Sequence, residues 1–282
     1  MGVVLGIDPA WTEANPSGVA VLQEVDGRWR CRAVAPGYSS FLALARGEAV
    51  DWRAEPHGGA PDPGRILDAA RTLCRGAEVD VVAVDMPVSR IPFEQRRPAD
   101  DLAARALNKA GCGVHSPTPE RPGKISAIMS GGLLARGYQV AGTGSISAGM
   151  RPLIEVYPHP AAMSLLGVTY RVPYKTSRTS KYWPGEPPAV RIARLLDLWT
   201  RLRDALGASI DGIGLPLPKG DGGLTLSGMK RYEDALDALI CAWVGTKFLE
   251  GACAPLGDRD AAIWVPPLPG VDIGNRRSPG WR

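Results

Sequence analysis

The stretch EDALDALICAWVG, residues 233–245, places two carboxylates on an otherwise apolar helix. Asp234 and Asp237 are three residues apart, so on a helix both side chains project from one face. The same helix carries an apolar stripe formed by Leu236, Leu239, Ile240, Trp243 and Val244. Burying a Leu or Ile side chain is worth roughly 1.5–3 kcal/mol. The helix is therefore predicted to pack on the core and to carry both aspartates toward the interior.

Two carboxylates held together at partial burial require a compensating cation. Their repulsion and lost hydration raise at least one pKa unless a cation neutralises them, and a divalent metal is the natural one. The alternative is that Asp234 lies at a solvated helix start, where the helix dipole favours it, and that Asp237 alone is unusual. The helix by itself leaves both interpretations open, so the other carboxylates of the chain must decide.

Two further acids follow apolar runs elsewhere in the chain. Residues 2–8 end in Asp8, and the run within residues 79–89 reaches Asp85. Continuous apolar runs of this length are typical of central strands buried on both faces. An acid at a strand end can also cap a helix or form a turn. Two such acids together with the paired aspartates favour a shared site.

The remaining pattern predicts an α/β protein. Asp26-Gly27 is a strong hairpin signal between strands at 18–25 and 27–35, so the first three strands should form an antiparallel meander. Residues 151–160 give another strand candidate, which carries Glu155. Helices are predicted near 62–76, 98–109, 123–139 and 188–206, with a polar surface loop at 47–64.

Composition restricts the class of protein. The chain has 282 residues, 45% of them hydrophobic, which is enough for one large domain with insertions. The net charge is +4 and 26 of the 33 basic residues are Arg, a balance that favours a nucleic-acid partner over a neutral substrate. The five cysteines form no C-x-x-C pair, so reduced thiols are expected. Without a signal peptide or a long apolar run, we expect a cytoplasmic protein with no membrane association.

The segment at residues 169–188 interleaves basic and aromatic side chains. Arg171, Lys175, Arg178 and Lys181 are candidates for contact with phosphate, with neighbouring aromatics available for base stacking. The alternative is a solvated loop whose aromatics pack on the body of the protein. His159 is a candidate for approaching a metal or phosphate, or for a structural role. The glycine cluster at 142–149 and the Gly123-Lys124 pair lack the spacing of nucleotide-binding loops, so an ATPase is not indicated.

The order of these acids along the chain resembles that of the ribonuclease H-like superfamily, particularly the nucleases of the Holliday-junction resolvase type. At family level the chain resembles the predicted nuclease family called domain of unknown function 429. The DALDAL motif at 234–239 is the sharpest element of the resemblance. The other matching motifs are GIDPAW with Ser17-Gly18, VAVDMPVS, RRPADDLAAR and EVYPHPAA.

The resemblance implies a single domain over residues 1–282 with a five-stranded mixed sheet, ordered 3-2-1-4-5 and flanked by helices. Helical and loop insertions are expected at about 98–150 and 169–223. The resemblance also implies Asp8, Asp85, Asp234 and Asp237 as ligands of Mg²⁺ or Mn²⁺, and it adds Glu155 as a further catalytic residue. One departure is that the resolvases place Glu where this chain has Asp85, which has a shorter reach.

The function implied is hydrolysis of phosphodiester bonds in nucleic acid by two metal ions about 3.5–4 Å apart. A phosphotransferase of the actin and sugar-kinase type shares the core fold. Its glycine-rich phosphate loop would follow the first strand, where this chain has Pro9-Ala10-Trp11. A non-catalytic nucleic-acid-binding protein is the third possibility.

Overall fold

A computed structural model describes residues 2–92, 95–220, 223–271 and 273. In this part of the chain, strands and helices form a mixed α/β fold. The strands are β1 Val3–Asp8, β2 Gly18–Val25, β3 Arg28–Ala35, β4 Val81–Val84, β5 Tyr138–Val140, β6 Arg151–Val156, β7 Ile210–Asp211, β8 Ala254–Gly257 and β9 Ala262–Val265. The helices are α1 Tyr38–Ala45, α2 Pro63–Leu73, α3 Pro98–Leu107, α4 Gly123–Leu134, α5 Pro158–Leu166, α6 Thr179–Tyr182, α7 Pro188–Gly207 and α8 Leu226–Leu249.

The described strands form one nine-stranded sheet in the order β7-β3-β2-β1-β4-β6-β9-β8, with β5 paired to β6. The first three strands are antiparallel neighbours, so the predicted meander is confirmed. Strand β4 runs parallel to β1 on one side and to β6 on the other. The sheet thus has nine strands where the resemblance implies five. The carboxyl ends of β1 and β4 meet at one edge, which brings Asp8 and Asp85 together.

The turn between β2 and β3 has the predicted hairpin geometry. Asp26 and Gly27 have φ angles of 53° and 74°, both in the left-handed region. A two-residue turn with two positive φ angles matches the right-handed twist of the strands it joins. Aspartate and glycine are among the residues that adopt this backbone conformation most readily, which explains why the sequence predicted the turn.

Helix α8 lies on the sheet with almost no space between the two backbones. A Cβ atom built on Gly18 would stand 1.9 Å from the carbonyl oxygen of Asp234, and one on Gly6 would stand 2.2 Å from that of Ala238. The glycines of β1 and β2 therefore permit the close approach. The helix begins at Leu226, so Asp234 lies well inside it and is 4% exposed. The alternative of a solvated helix start is therefore wrong.

Both faces of the sheet are covered by apolar side chains. One face packs α8 and α7, with Trp199, Trp264 and Phe248 among the buried aromatics. The other face packs α1, α2 and α4, with Phe41 and Ile66 in its core. None of the helices in the described part of the chain combines the length and hydropathy needed to cross a membrane.

Several elements differ from the sequence-based expectations. The strand predicted over 151–160 ends at Val156, because Pro158 starts α5, where proline suits the first helical turn. The helix predicted over 123–139 ends at Leu134, and β5 begins at Tyr138. Helices α1, α5 and α6 and the short strands β5, β7, β8 and β9 were not predicted.

The close approach of α8 can be tested by adding a single methyl group. Gly18→Ala should lower the free energy of unfolding by about 3 kcal/mol, because the new Cβ meets backbone that cannot move aside alone. Gly131→Ala is the matched control, since Gly131 lies inside α4 and a Cβ atom added there would have nothing within 4 Å. That control should be neutral or stabilising by up to about 1 kcal/mol. Equal melting temperatures for the two variants would contradict the packing described.

Candidate functional site

A cavity of about 500 Å³ opens at the carboxyl ends of β1 and β4. Asp8 is the last residue of β1, and Asp85 directly follows β4, where its backbone N–H donates to the carbonyl of Ile7 at 2.9 Å. Asp8, Asp85 and Asp234 line the cavity. Asp237 is completely buried one turn further along α8. The four aspartates singled out from the sequence therefore lie in and directly behind one cavity.

Two lysines compensate the acids of α8. Lys230, one turn before Asp234 on the same helix, forms ion pairs with Asp234 and with Glu233, the latter at 2.9 Å. Lys175 forms an ion pair with Asp237 and lies 3.8 Å from Glu233. Each helical acid therefore already has an ammonium partner.

Neutral groups also hold the helical acids. The hydroxyl of Tyr174 donates to Asp237 at 2.7 Å, and the backbone N–H of Thr176 donates to Glu233 at 2.6 Å. Tyr174, Lys175 and Thr176 are consecutive in the chain. These contacts therefore hold residues 174–176 against α8 through the side chains of Glu233 and Asp237.

Asp8 and Asp85 have no such compensation. Among the described residues, neither carboxylate has a hydrogen-bond or ion-pair partner. Burial, followed by the charges of Asp237, Asp234 and Asp85, raises the pKa of Asp8 well above its usual range. Burial raises the pKa of Asp85 to about 7, although Lys175 opposes this shift. A folded protein that keeps these two groups ionised must supply a cation.

The pKa values of the acids on α8 depend on burial and on the two lysines, which act in opposite directions. Burial raises the pKa of Asp234 to about 6 against the opposing charge of Lys230. Burial also raises the pKa of Asp237, and Lys175 again opposes the shift. Glu233 is the exception, because Lys230 and Lys175 outweigh burial and lower its pKa.

The donor set has the chemistry of a site for a hard divalent cation. Mg²⁺ and Mn²⁺ prefer carboxylate and water oxygens, and the two uncompensated carboxylates face the cavity side by side. Burial, followed by the neighbouring carboxylates, raises the pKa of Asp8, and such an ion would relieve both effects. However, no group of three or more His, Cys, Asp or Glu side chains within the described ranges is already arranged as metal ligands. The four aspartates supply the oxygen ligands that such an ion prefers. Two of them, Asp234 and Asp237, are already paired with lysines.

Glu155 is placed differently from the aspartates. Arg97 donates to both of its carboxylate oxygens, at 2.6 and 2.8 Å, and the backbone N–H of Val88 donates to it at 3.0 Å. Arg97 also pairs with the fully buried Asp100 at 2.7 Å. Burial raises the pKa of Glu155 in spite of Arg97. Glu155 therefore belongs to a buried ion-pair network at the cavity wall.

The predicted phosphate-binding residues separate into two groups. Arg171, Lys175 and Arg178 line the cavity, whereas Lys181 is exposed on α6 and does not belong to the lining. His159 lines the cavity and is 5% exposed.

Sequence reasoning missed three charged residues of the site, namely Lys230, Glu233 and Arg121. Lys230 could have been found, since it precedes Asp234 by four residues on one helix face.

A family of known proteins matches most of the chain. The family model described as "Protein of unknown function (DUF429)" matches residues 6–262. The matched range contains all four site aspartates. No curated protein and no solved structure matched the chain.

The raised pKa values predict how stability depends on pH. A carboxyl that holds its proton longer in the folded state than in the unfolded chain makes the free energy of unfolding fall as pH rises. Without metal, the part of that fall that Asp85 contributes should run from about 4, the ordinary value for aspartate, to about 7, the pKa of Asp85. Asp85→Asn removes part of the penalty, so its stability relative to the wild type should increase over this range. Chemical denaturation with chelator at several pH values measures the difference, and a pH-independent difference would contradict the assignment.

The Arg97 network gives a separate prediction. Arg97→Met would leave Glu155 and Asp100 buried without their cation, which should cost about 3–5 kcal/mol in the free energy of unfolding. Adding Glu155→Gln to that variant removes one of the uncompensated charges and should restore part of the loss. Denaturant unfolding of both variants measures the effect. If Arg97→Met were neutral, Glu155 would not depend on Arg97 for its place in the fold.

Proposed function

The chain belongs to the DUF429 family, and we propose that it is a metal-dependent nuclease that hydrolyses phosphodiester bonds of nucleic acid. The observation that carries this proposal is the pair Asp8 and Asp85. Their carboxylates stand at neighbouring strand ends, face one cavity and form no ion pair or hydrogen bond with the described residues, so that only the more distant charges of Lys175 and Lys230 act on them. Side chains without a catalytic or binding role seldom concentrate uncompensated charge in this way.

We also propose that the fold is of the ribonuclease H-like type. Five consecutive strands of the sheet support this, in the order β3-β2-β1-β4-β6. Their directions are antiparallel for the first two pairs and parallel for the next two. On this proposal β5, β7, β8 and β9 are additions around the common core.

The four aspartates, two lysines and two arginines of the site each have a role in the proposed reaction. Asp8 and Asp85 would hold Mg²⁺ or Mn²⁺ together with Asp234 and Asp237. When bound, the metal would supply an activated water and stabilise charge on the leaving oxygen. Lys175 and Lys230 neutralise the helical acids, so the site can form before any ion arrives. Arg171 and Arg178, which line the same cavity, would orient the phosphate through charge-assisted hydrogen bonds.

One observation favours a second function, that of a non-catalytic nucleic-acid-binding protein. Lys175 and Lys230 already pair with two of the four aspartates, and a protein without metal would keep these pairs permanently. The two functions differ in whether a divalent ion stabilises the fold through Asp8 and Asp85. A response to the ion supports the nuclease, and its absence supports the binding protein.

We further propose that the protein works in a reducing compartment, the cytoplasm. None of the five cysteines, all of which lie in the described ranges, forms a disulfide. Chains in oxidising compartments commonly use disulfides, and intracellular chains keep their thiols reduced.

Asp8→Asn tests the proposed function through stability and activity together. Without metal the variant should be as stable as the wild type or more stable, because it removes one charge from a repelling cluster. At a free ion concentration about 100 times the Kd, the wild type should gain about 2.7 kcal/mol. The variant should gain much less, and its cleavage rate should fall by at least about 100-fold.

Thermal melts with chelator, Mg²⁺ and Mn²⁺ measure the first effect, and a panel of DNA, RNA and branched substrates measures the second. Asp68→Asn is the control, since Asp68 is an exposed surface aspartate paired with Arg136. It should behave like the wild type in both assays. The proposal fails if the ion stabilises Asp8→Asn as strongly as the wild type.

A further inference from the structure

Arginines also line the cavity that holds the aspartates. Arg121, Arg171 and Arg178 all line it. Within the described ranges none of the three forms an ion pair with a carboxylate, whereas both lysines of the cavity do. The cavity lining therefore combines carboxylates without an ion-pair partner and surplus positive charge. The surplus lies on guanidinium groups, whose planar set of donors suits the oxygens of a phosphate.

His159 adds a donor beside Arg171. The guanidinium of Arg171 lies 2.5 Å from Nε2 of His159, and a guanidinium can only donate. Nε2 must therefore accept, which places the proton of the neutral ring on Nδ1. Burial, reinforced by Lys175 and Arg171, holds the pKa of His159 well below its usual range, so the ring is neutral.

The Nδ1–H group is left without an acceptor. It is buried and has no hydrogen-bond partner among the described residues, and Nε of Arg171 is in the same state. A buried donor without a partner costs roughly 1–3 kcal/mol. Two such donors beside uncompensated guanidinium groups are the features expected of a site that receives an anion.

We propose that Arg171, Arg178 and His159 form a subsite for a phosphate monoester, the terminal phosphate of a nucleic-acid strand or that of a free nucleotide. The placement of this phosphate beside the reacting bond rests on the proposed nuclease function. Binding of the phosphate itself does not depend on that function. A monoester carries close to two negative charges at neutral pH, which matches two uncompensated arginines better than the single charge of an internal diester.

The dimensions of the cavity support the same ligand. About 500 Å³ falls within the range of roughly 300–1,000 Å³ that is usual for small-molecule pockets. Such a space suits one nucleotide unit, whereas a double helix has a major groove that alone is about 12 Å wide. The aspartates and the arginines line the same cavity, so a nucleotide held by its phosphate would present its ester bonds toward Asp8 and Asp85.

Calorimetric titration with chelator present tests the subsite without metal or catalysis. The ligands are inorganic phosphate, a nucleoside 5′-monophosphate, and one oligonucleotide with a 5′-phosphate, a 3′-phosphate or hydroxyl ends. Arg178→Gln should raise the Kd for the monophosphate at least about tenfold, because it removes a charge-assisted contact. Lys181→Gln, which removes the same charge from an exposed position three residues away, should change it less than about twofold.

The ligand that binds most tightly identifies the source of the phosphate. A preference for one phosphorylated oligonucleotide indicates a strand end, and equal binding of the mononucleotide indicates a free nucleotide. The subsite is contradicted if the wild type binds none of the phosphates, or if Arg178→Gln and Lys181→Gln weaken binding equally.

The ring nitrogens of His159 give a second readout that needs no variant. The chain has three histidines, so their ¹⁵N signals can be assigned individually. His159 should be the Nδ1–H tautomer, and its Nδ1 signal should shift when phosphate is added. An Nε2–H tautomer, or an unchanged signal at saturating phosphate, would overturn the assignment.

Phosphate binding without cleavage of any substrate would refute the proposed function and leave the subsite intact.

Discussion

The packing of α8 directly on β1 and β2 is the constraint on which the site depends. Gly6 and Gly18 leave no side chain between helix and sheet, so the helix backbone lies against the strands. The apolar side chains of α8 make this packing favourable, and they bring Asp234 and Asp237 to the strand ends that carry Asp8 and Asp85. Hydrophobic burial therefore holds like charges together that would separate in solution.

The charges of the site are compensated unevenly, and this unevenness is what suggests a function. Lys175 and Lys230 neutralise the acids of α8, while Asp8 and Asp85 remain uncompensated beside them among the described residues. Three arginines that line the same cavity lack an acidic partner within the described ranges. Neither the excess negative charge nor the excess positive charge stabilises the fold. A cation could balance the first, and an anion could balance the second. Functional sites commonly retain such local conflicts because binding relieves them.

Local patterns in the sequence predicted much of the fold and the four aspartates of the site. The meander, its Asp26-Gly27 turn and the buried helix follow from short-range rules of backbone and periodicity. Long-range partners could not be read in the same way. Nothing near Glu155 in the sequence indicates that Arg97 binds it, because the two residues are 58 positions apart. Strand β7 has two residues, too few to show an alternation.

The central claim is that Asp8 and Asp85 form a site for a divalent ion. Anomalous diffraction from crystals soaked in Mn²⁺ tests it most directly, because it locates the ion without any assay of activity. We expect a manganese peak in contact with the carboxylates of Asp8 and Asp85. A map with no peak at these two carboxylates, at a Mn²⁺ concentration that saturates other sites on the protein, would contradict it.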